Sequence, residues 1–260
     1  MPDVGYVDPE VRPILEMLAA QYGDYSKLSV AETRALFAQN AAAMAGALPL
    51  GCEDGHFEIP GPAGPIPCRW FKPSGGDERL PVMLHFMGGT YVATSLEQAG
   101  RTPPALALAA RCLVVVPLHR IPPEHPFPAA YDDCLAVYRW MLGNAETIGG
   151  DCARIAVSGE SSGGTLAAAV CIDARDEGLP QPALQVLAEP LVDHLSETAS
   201  VNELSFVLDK KALRFGSGLY FGDAPPPIRA SPLRAPCLKD LAPAYIVTAG
   251  LDPLRDEGIA

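Results

Sequence analysis

The residues best suited to chemistry lie in the stretch Ala153–Gly164, which reads Ala-Arg-Ile-Ala-Val-Ser-Gly-Glu-Ser-Ser-Gly-Gly. An apolar run of strand length is followed by Gly159, Ser161 and Gly163 at alternate positions, and then by an alanine-rich helical pattern. A tight strand-to-helix turn needs small residues on both sides of the serine and leaves its hydroxyl exposed. The pattern predicts Ser161 as a nucleophile. A Gly/Ser-rich helix cap in a nucleotide-binding protein is the alternative, and Ser162 is a poorer nucleophile candidate because it does not centre the two glycines.

Strands and helices alternate along most of the chain and must position this serine. With 260 residues, 48% hydrophobic and 19% charged, the chain is long enough and apolar enough for a sizeable core. Alternation implies a mainly parallel sheet with helices on both faces, and continuous apolar strands are typical of burial on both faces. The predicted strands are residues 56–60, 66–72, 82–86, 112–118, 154–158, 184–188 and 244–248, and the predicted core helices are residues 128–142 and 162–175.

Two helical regions stand outside this alternation. Near the N-terminus an apolar face formed by Val11, Ile14, Leu15 and Leu18 predicts one helix, and the capping-box pattern Ser29–Glu32 opens a second through Met44. Residues 195–222 carry a second helical pattern, with Leu204, Val207, Leu208 and Leu213 on one face. We interpret residues 1–50 as an N-terminal helical cap segment, and residues 51–260 as the core with a cap insertion at about 195–222. Leu15, Leu18, Leu204 and Phe206 suggest that these helical regions form a capped, largely apolar entrance.

Five segments in a fixed order resemble the hormone-sensitive-lipase-like esterases, also called bacterial family IV, of the α/β-hydrolase superfamily. They are Met87-Gly-Gly-Thr-Tyr-Val92, Arg120-Ile-Pro-Pro-Glu-His-Pro-Phe-Pro128, Tyr131-Asp-Asp133, Gly159-Glu-Ser-Ser-Gly-Gly164 and Leu251-Asp-Pro-Leu-Arg-Asp-Glu-Gly258. The resemblance covers the chain from about Asp54 onward, and the N-terminal helices match that family's cap. It implies an α/β-hydrolase fold with a helical cap and a serine carboxylesterase that acts on small-molecule esters.

Carried over residue by residue, the resemblance makes the backbone N–H groups of Gly88, Gly89 and Ser162 an oxyanion hole. Three such donors aimed at a developing oxyanion stabilise acyl-transfer transition states. Met87 stands where the family has a bracing histidine, which puts the rigidity of this loop in doubt. The resemblance also makes Asp252 the acid of the catalytic triad, ahead of Asp256 and Glu257. A carboxylate in this role fixes the tautomer of the catalytic histidine.

No histidine occupies the position that the family uses. All five histidines precede Asp252, whereas the order in this superfamily is Ser, Asp, His. We expect the chain to be a fragment that lacks the C-terminal strand and helix, so that the catalytic histidine lies outside it. Two alternatives remain open: a non-hydrolytic small-molecule-binding protein on the same fold, and a replacement base such as His119 or His194.

Composition narrows the choice of partners. The net charge of −12 and the pI near 4.8 disfavour nucleic acid. The longest apolar stretches are too short to span a membrane, and the N-terminus has no signal-peptide pattern. Seven dispersed cysteines without metal-site spacing fit free thiols in a reducing compartment, so we expect a cytoplasmic location, no metal and no organic cofactor. A homo-oligomer formed through an exposed edge strand is also compatible with the sequence.

Overall fold

The computed structural model describes residues 7–44, 46–75 and 78–260, which form one seven-stranded sheet flanked by helices. The strands are β1 Cys52–Gly61, β2 Gly64–Pro73, β3 Leu80–Phe86, β4 Leu113–Pro117, β5 Gly150–Glu160, β6 Gln185–Ala188 and β7 Ala244–Val247. The helices are α1 Arg12–Tyr22, α2 Val30–Met44, α3 Thr102–Ala110, α4 Ala129–Asn144, α5 Ser162–Asp176, α6 Ala199–Glu203, α7 Lys210–Phe221 and α8 Arg255–Ile259.

The strand order is β1-β2-β4-β3-β5-β6-β7. β1 and β2 form an antiparallel hairpin and β2 runs antiparallel to β4, while all other neighbouring strands are parallel. The predicted α/β fold with a mainly parallel sheet is therefore confirmed. Because the carboxyl ends of parallel neighbours meet at one edge, the residues that follow β3, β5, β6 and β7 lie side by side there.

The core lies between the central strands and the helices that cover them. All five residues of β4 are buried, and α5 buries most of its residues against β5 and β6. The short alanines of α5 permit this close helix–sheet approach. The helix α3 was not predicted, because its run of Thr-Pro-Pro-Ala-Leu-Ala-Leu-Ala-Ala lacks a one-sided apolar stripe.

β7 differs from the prediction of burial on both faces. Its four residues are all exposed, with Tyr245 at 63%, Ile246 at 47% and Val247 at 38%. The prediction was wrong because burial depends on a strand's position in the sheet, and β7 is the last strand in the order. A short apolar run therefore predicts a strand without predicting what covers it.

The two helical regions form as predicted in part. The capping box is present: the Ser29 N–H and hydroxyl donate to the Glu32 carboxylate at 2.9 and 2.7 Å, and the Glu32 N–H donates to Ser29 Oγ at 3.2 Å. The apolar face of α1, however, buries no residue, and Ile14 is 52% exposed.

The helical pattern predicted over residues 195–222 is broken in the structure. Residues 204–209 are not helical and separate α6 from α7, so Leu204, Val207 and Leu208 lie outside both helices. The Asp209 carboxylate accepts the Ala212 N–H at 2.8 Å and starts α7 as a new helix. Within the described ranges, no helix is both long and apolar enough to cross a membrane.

Candidate active site

Ser161 occupies the single-residue turn between β5 and α5. Its φ of +53° and ψ of −123° place it in a conformation that residues with a Cβ rarely adopt, at a cost of about 1–3 kcal/mol. The surrounding backbone holds the turn: the Ser161 N–H donates to the Ala188 carbonyl at 2.9 Å, and the Ser161 carbonyl accepts the Leu191 N–H at 3.1 Å. Strain of this kind is common where a side chain must be presented to a ligand.

The glycines on either side of this turn are required by close backbone packing. A Cβ on Gly159 would lie 2.1 Å from the Gly163 carbonyl oxygen, and a Cβ on Gly163 would lie 2.0 Å from the Phe86 carbonyl oxygen. Of the two adjacent serines, Ser162 is 2% exposed, whereas Ser161 is partly exposed. The Ser161 hydroxyl donates to no group among the residues that the structure describes, so it is available to a substrate.

The loop after β3 runs directly against Ser161. A Cβ on Gly88 would lie 3.1 Å from the Ser161 Cβ and 2.7 Å from the Glu160 carbonyl oxygen. Gly89 has φ +128°, which a side chain would strain. A cleft of about 240 Å³ opens here, lined in part by both glycines. The structure therefore places Gly88 against Ser161, with Gly89 next along the loop and the first turn of α5 packed on Phe86 and Met87. Ser161 itself is not among the described residues that line the cleft.

Other side chains of this cleft come from the N-terminal helices. Tyr22 of α1 and Phe37 of α2 line it, together with Glu160. The residues predicted to form an apolar entrance are placed differently. Leu15, Leu18, Leu204 and Phe206 are not among the described lining residues, and Leu204 is buried at 4% exposure.

Asp252 follows β7 at the same edge of the sheet. One carboxylate oxygen accepts the Leu254 N–H at 2.8 Å, and burial raises the pKa of the Asp252 carboxyl. Glu189 comes directly after β6, and its N–H donates to the Val247 carbonyl at 2.8 Å. Burial raises the pKa of Glu189, and the negative charges of Asp252 and Glu160 raise it further. The Glu189 carboxyl therefore lies near the carboxyl groups of both Asp252 and Glu160.

The two carboxylates that compete with Asp252 for the role of triad acid have structural partners. The Glu257 carboxylate accepts the Val192 N–H at 2.7 Å, is 2% exposed, and has its pKa raised by burial to about 7. Asp256 accepts the Ser200 N–H at 2.8 Å. Both therefore fasten α8 to the segment that follows β6.

Three of the five histidines are buried and have hydrogen-bond partners other than Ser161. His85 Nδ1 lies 3.0 Å from Ser158 Oγ, His119 Nδ1 lies 3.3 Å from the Arg120 carbonyl oxygen, and His194 Nδ1 lies 2.8 Å from Ser217 Oγ. All three rings are buried, which lowers their pKa values, to about 4 for His85 and His194. No described histidine bonds to Ser161. His119 and His194 thus lack the contact that a replacement base requires.

Sequence reasoning did not single out Glu189. Its position could have indicated it. Glu189 directly follows β6 as Ser161 directly follows β5, and neighbouring parallel strands end at the same edge of the sheet. As for metals, the described residues contain no cluster of three or more histidine, cysteine, aspartate or glutamate side chains placed to hold an ion.

Comparison with known proteins gives a consistent result. Residues 83–260 match a family model described as the alpha/beta hydrolase fold. The chain is 42% identical over 208 residues to Esterase LipI of Mycobacterium tuberculosis, covering 77% of this chain and 65% of that protein. It is 40% identical over 212 residues to Carboxylic ester hydrolase LipN of the same organism, covering 78% and 56%. The chain thus spans less than two thirds of the length of these two relatives.

Among solved structures, a hyperthermophilic esterase from the archaeon Pyrobaculum calidifontis superimposes with a TM-score of 0.88 at 37% identity. The match covers 100% of this chain and 83% of that one. The fold around the strained serine is therefore shared with a protein described as an esterase.

Proposed function

The chain belongs to the family of α/β-hydrolase-fold proteins, and we propose that it is a serine carboxylic-ester hydrolase with Ser161 as its nucleophile. The observation that carries the proposal is the strained turn that presents Ser161 against Gly88. The motifs favour the hormone-sensitive-lipase-like branch of this family. The names of the two mycobacterial relatives and of the archaeal structure support the same reaction class.

In the proposed reaction, Ser161 Oγ attacks the ester carbonyl carbon and its proton passes to a general base. The carbonyl oxygen becomes an oxyanion that accepts hydrogen bonds from the backbone N–H groups of Gly88, Gly89 and Ser162. Collapse of this intermediate breaks the ester C–O bond and releases the alcohol, which takes up the proton. Water then attacks the acyl-serine by the same steps and releases the acid. Each oxyanion donor contributes about 3–4 kcal/mol in enzymes of this kind.

For the general base, we propose a histidine that lies outside these 260 residues and is oriented by Asp252. Support comes from the engagement of the described buried histidines elsewhere and from the position of Asp252 at the edge that carries Ser161. Without a base, the hydroxyl of Ser161 is a weak nucleophile. The same observation favours the second candidate, a non-hydrolytic protein that binds a small molecule in the cleft beside Gly88.

We propose that a small substrate occupies the cleft beside Gly88 and extends to Ser161, which is not among the described residues that line it. The cleft volume of about 240 Å³ is below the roughly 300–1,000 Å³ of pockets that enclose drug-sized ligands. We therefore propose short to medium acyl esters, with no metal or organic cofactor taking part. Nucleic acid and membrane partners form no part of the proposal, and a homo-oligomer through the exposed β7 edge stays a prediction.

Hydrolysis of p-nitrophenyl acetate and p-nitrophenyl butyrate by the purified chain tests the proposal. We expect a slow release of p-nitrophenol above the rate in buffer, because Ser161 can attack an activated ester with water as the base, and because the oxyanion hole and substrate binding alone supply about 10³-fold catalysis. Ser161→Ala removes the nucleophile and leaves only the part due to the oxyanion hole and binding, whereas Ser158→Ala, in the preceding buried strand, retains the full rate if the fold is intact. Equal rates for the wild type and Ser161→Ala would refute hydrolysis by Ser161.

A further inference from the structure

The loop that carries the two proposed oxyanion glycines is held in a strained shape. Thr90 and Tyr91 are consecutive residues with positive φ, +53° and +58°, each costing about 1–3 kcal/mol. The turn is closed by the N–H groups of Val92 and Ala93, which donate to the Gly89 carbonyl at 2.8 and 3.2 Å. Two adjacent left-handed residues persist only when their surroundings fix the turn from outside.

Arg34 of α2 makes such contacts from a helix more than fifty residues away in sequence. Its Nε donates to the Val92 carbonyl at 2.9 Å, and its Nη2 donates to the Pro122 carbonyl at 2.8 Å. Its two terminal nitrogens also donate to both carboxylate oxygens of Glu124, at 2.8 and 2.7 Å. One guanidinium thus joins α2, the end of the glycine loop and the segment that follows β4.

These contacts act mainly by fixing the orientation of the Arg34 guanidinium, and they add little to stability. The Arg34 and Glu124 side chains are 31% and 55% exposed, and an ion pair this exposed contributes at most about 1 kcal/mol to stability. The bidentate pairing nevertheless fixes the plane of the guanidinium, because both N–H···O bonds must form together. Hydrogen bonding from Arg34 lowers the pKa of the Glu124 carboxyl to about 2, so the pair stays charged throughout the range of an esterase assay.

Other contacts reach the same turn. The Tyr25 hydroxyl lies 3.4 Å from Thr90 Oγ1, and α7 packs so closely that a Cβ on Gly216 would lie 2.3 Å from the Thr90 carbonyl oxygen. These contacts hold the middle of the turn, while Arg34 alone among the described side chains bonds to its Val92 end. Met87 provides no ring nitrogen to brace the loop from its other end.

We propose that Arg34 is a positioning residue that holds the Gly88 and Gly89 amides in their place opposite Ser161 by fixing the Val92 carbonyl. The role of Arg34 in catalysis rests on the proposed hydrolase function, whereas its role in holding the turn does not. Lysine cannot replace it fully, because a single ammonium group cannot bond Val92, Pro122 and both oxygens of Glu124 in one plane.

Hydrogen exchange of the full chain, followed by mass spectrometry, tests the proposal. We expect Arg34→Ala to speed amide exchange in residues 88–93 at least about tenfold, and Arg34→Lys to give an intermediate rate. Arg79→Ala is the control, since it also removes an exposed arginine–glutamate ion pair, with Glu146, but at the amino end of β3. Its exchange in residues 88–93 stays at the wild-type rate. With imidazole present as base, Arg34→Ala lowers kcat about tenfold and leaves KM unchanged.

The outcomes distinguish the role of Arg34 in holding the turn from its role in catalysis. Exchange in Arg34→Ala within twofold of the wild type, or a raised KM with an unchanged kcat, overturns the role of Arg34. Faster exchange combined with no Ser161-dependent turnover in the wild type removes the hydrolase function and leaves Arg34 as the residue that holds the turn. If Arg34→Ala does not fold, amide exchange in residues 88–93 is measured in Arg34→Lys and Glu124→Gln instead. Exchange at the wild-type rate in both variants overturns the proposal.

Discussion

Free imidazole raises the Ser161-dependent hydrolysis of p-nitrophenyl acetate by about tenfold to a hundredfold. The reason is that the proposed nucleophile Ser161 and the proposed acid Asp252 follow parallel strands at one edge of the sheet, and no described histidine forms a hydrogen bond with Ser161. A general base contributes about 10²–10⁴ to such reactions, and a base that diffuses freely recovers only part of this. The measurement is the initial rate against imidazole concentration, after subtraction of the imidazole reaction in buffer.

The carboxylate that orients the added base is identified by two variants. Asp252→Asn lowers the gain from imidazole about tenfold, because an amide does not stabilise the imidazolium that forms when Ser161 is deprotonated. Asp256→Asn is the matched control. Asp256 lies four positions after Asp252 and its carboxylate accepts the Ser200 N–H, so it does not orient the added imidazole and the gain is retained. A gain of equal size in Ser161→Ala would mean that imidazole acts on the ester without the protein's nucleophile, and would contradict the prediction.

Gly88→Ala lowers kcat/KM about a hundredfold in the imidazole-supplemented assay. The added methyl group would lie 2.7 Å from the Glu160 carbonyl oxygen and 3.1 Å from the Ser161 Cβ, so the loop must move away from Ser161. Displacement of one oxyanion donor costs about 10²–10³ in rate, which corresponds to roughly 3–4 kcal/mol.

The control for this substitution is Gly100→Ala. A Cβ at Gly100 meets its nearest neighbour, Arg69 Nη1, at 3.9 Å, so the substitution is accommodated and the rate stays near that of the wild type. Circular dichroism of both variants checks that the fold is intact. A folded Gly88→Ala chain that keeps more than half of the wild-type rate would rule out this loop as the source of the oxyanion donors.

The turn at Ser161 could be predicted from the sequence because it depends only on residues that are neighbours along the chain. A buried strand, two glycines at fixed spacing and a helix start are sufficient to specify a turn in which Gly159 and Gly163 pack against backbone. The alternation of strands and helices likewise specified the mainly parallel sheet. The placement of Gly88 beside that turn and the assignment of Asp252 as the acid required a family resemblance, because nothing local links residues so far apart in the sequence.

The features that could not be predicted from the sequence depend on which distant segments become neighbours in the folded chain. The exposure of β7 follows from its place at the end of the strand order, which an apolar run of four residues does not encode. The role of Arg34 depends on carbonyl groups 58 and 88 positions away along the chain. In the sequence of α2, Arg34 looks like any arginine on the polar face of a helix. Only its tertiary contacts distinguish it from a solvent-exposed surface residue.

We propose that Ser161 Oγ faces the backbone amides of Gly88 and Gly89 across the space that a tetrahedral acyl group would occupy. A crystal structure of the chain after prolonged incubation with an activated p-nitrophenyl phosphonate measures this directly. We predict phosphorus bonded to Ser161 Oγ, with one phosphonyl oxygen about 3 Å from the amide nitrogens of Gly88, Gly89 and Ser162. Phosphorus bonded to another residue, or a phosphonyl oxygen turned away from these amides, would contradict the account.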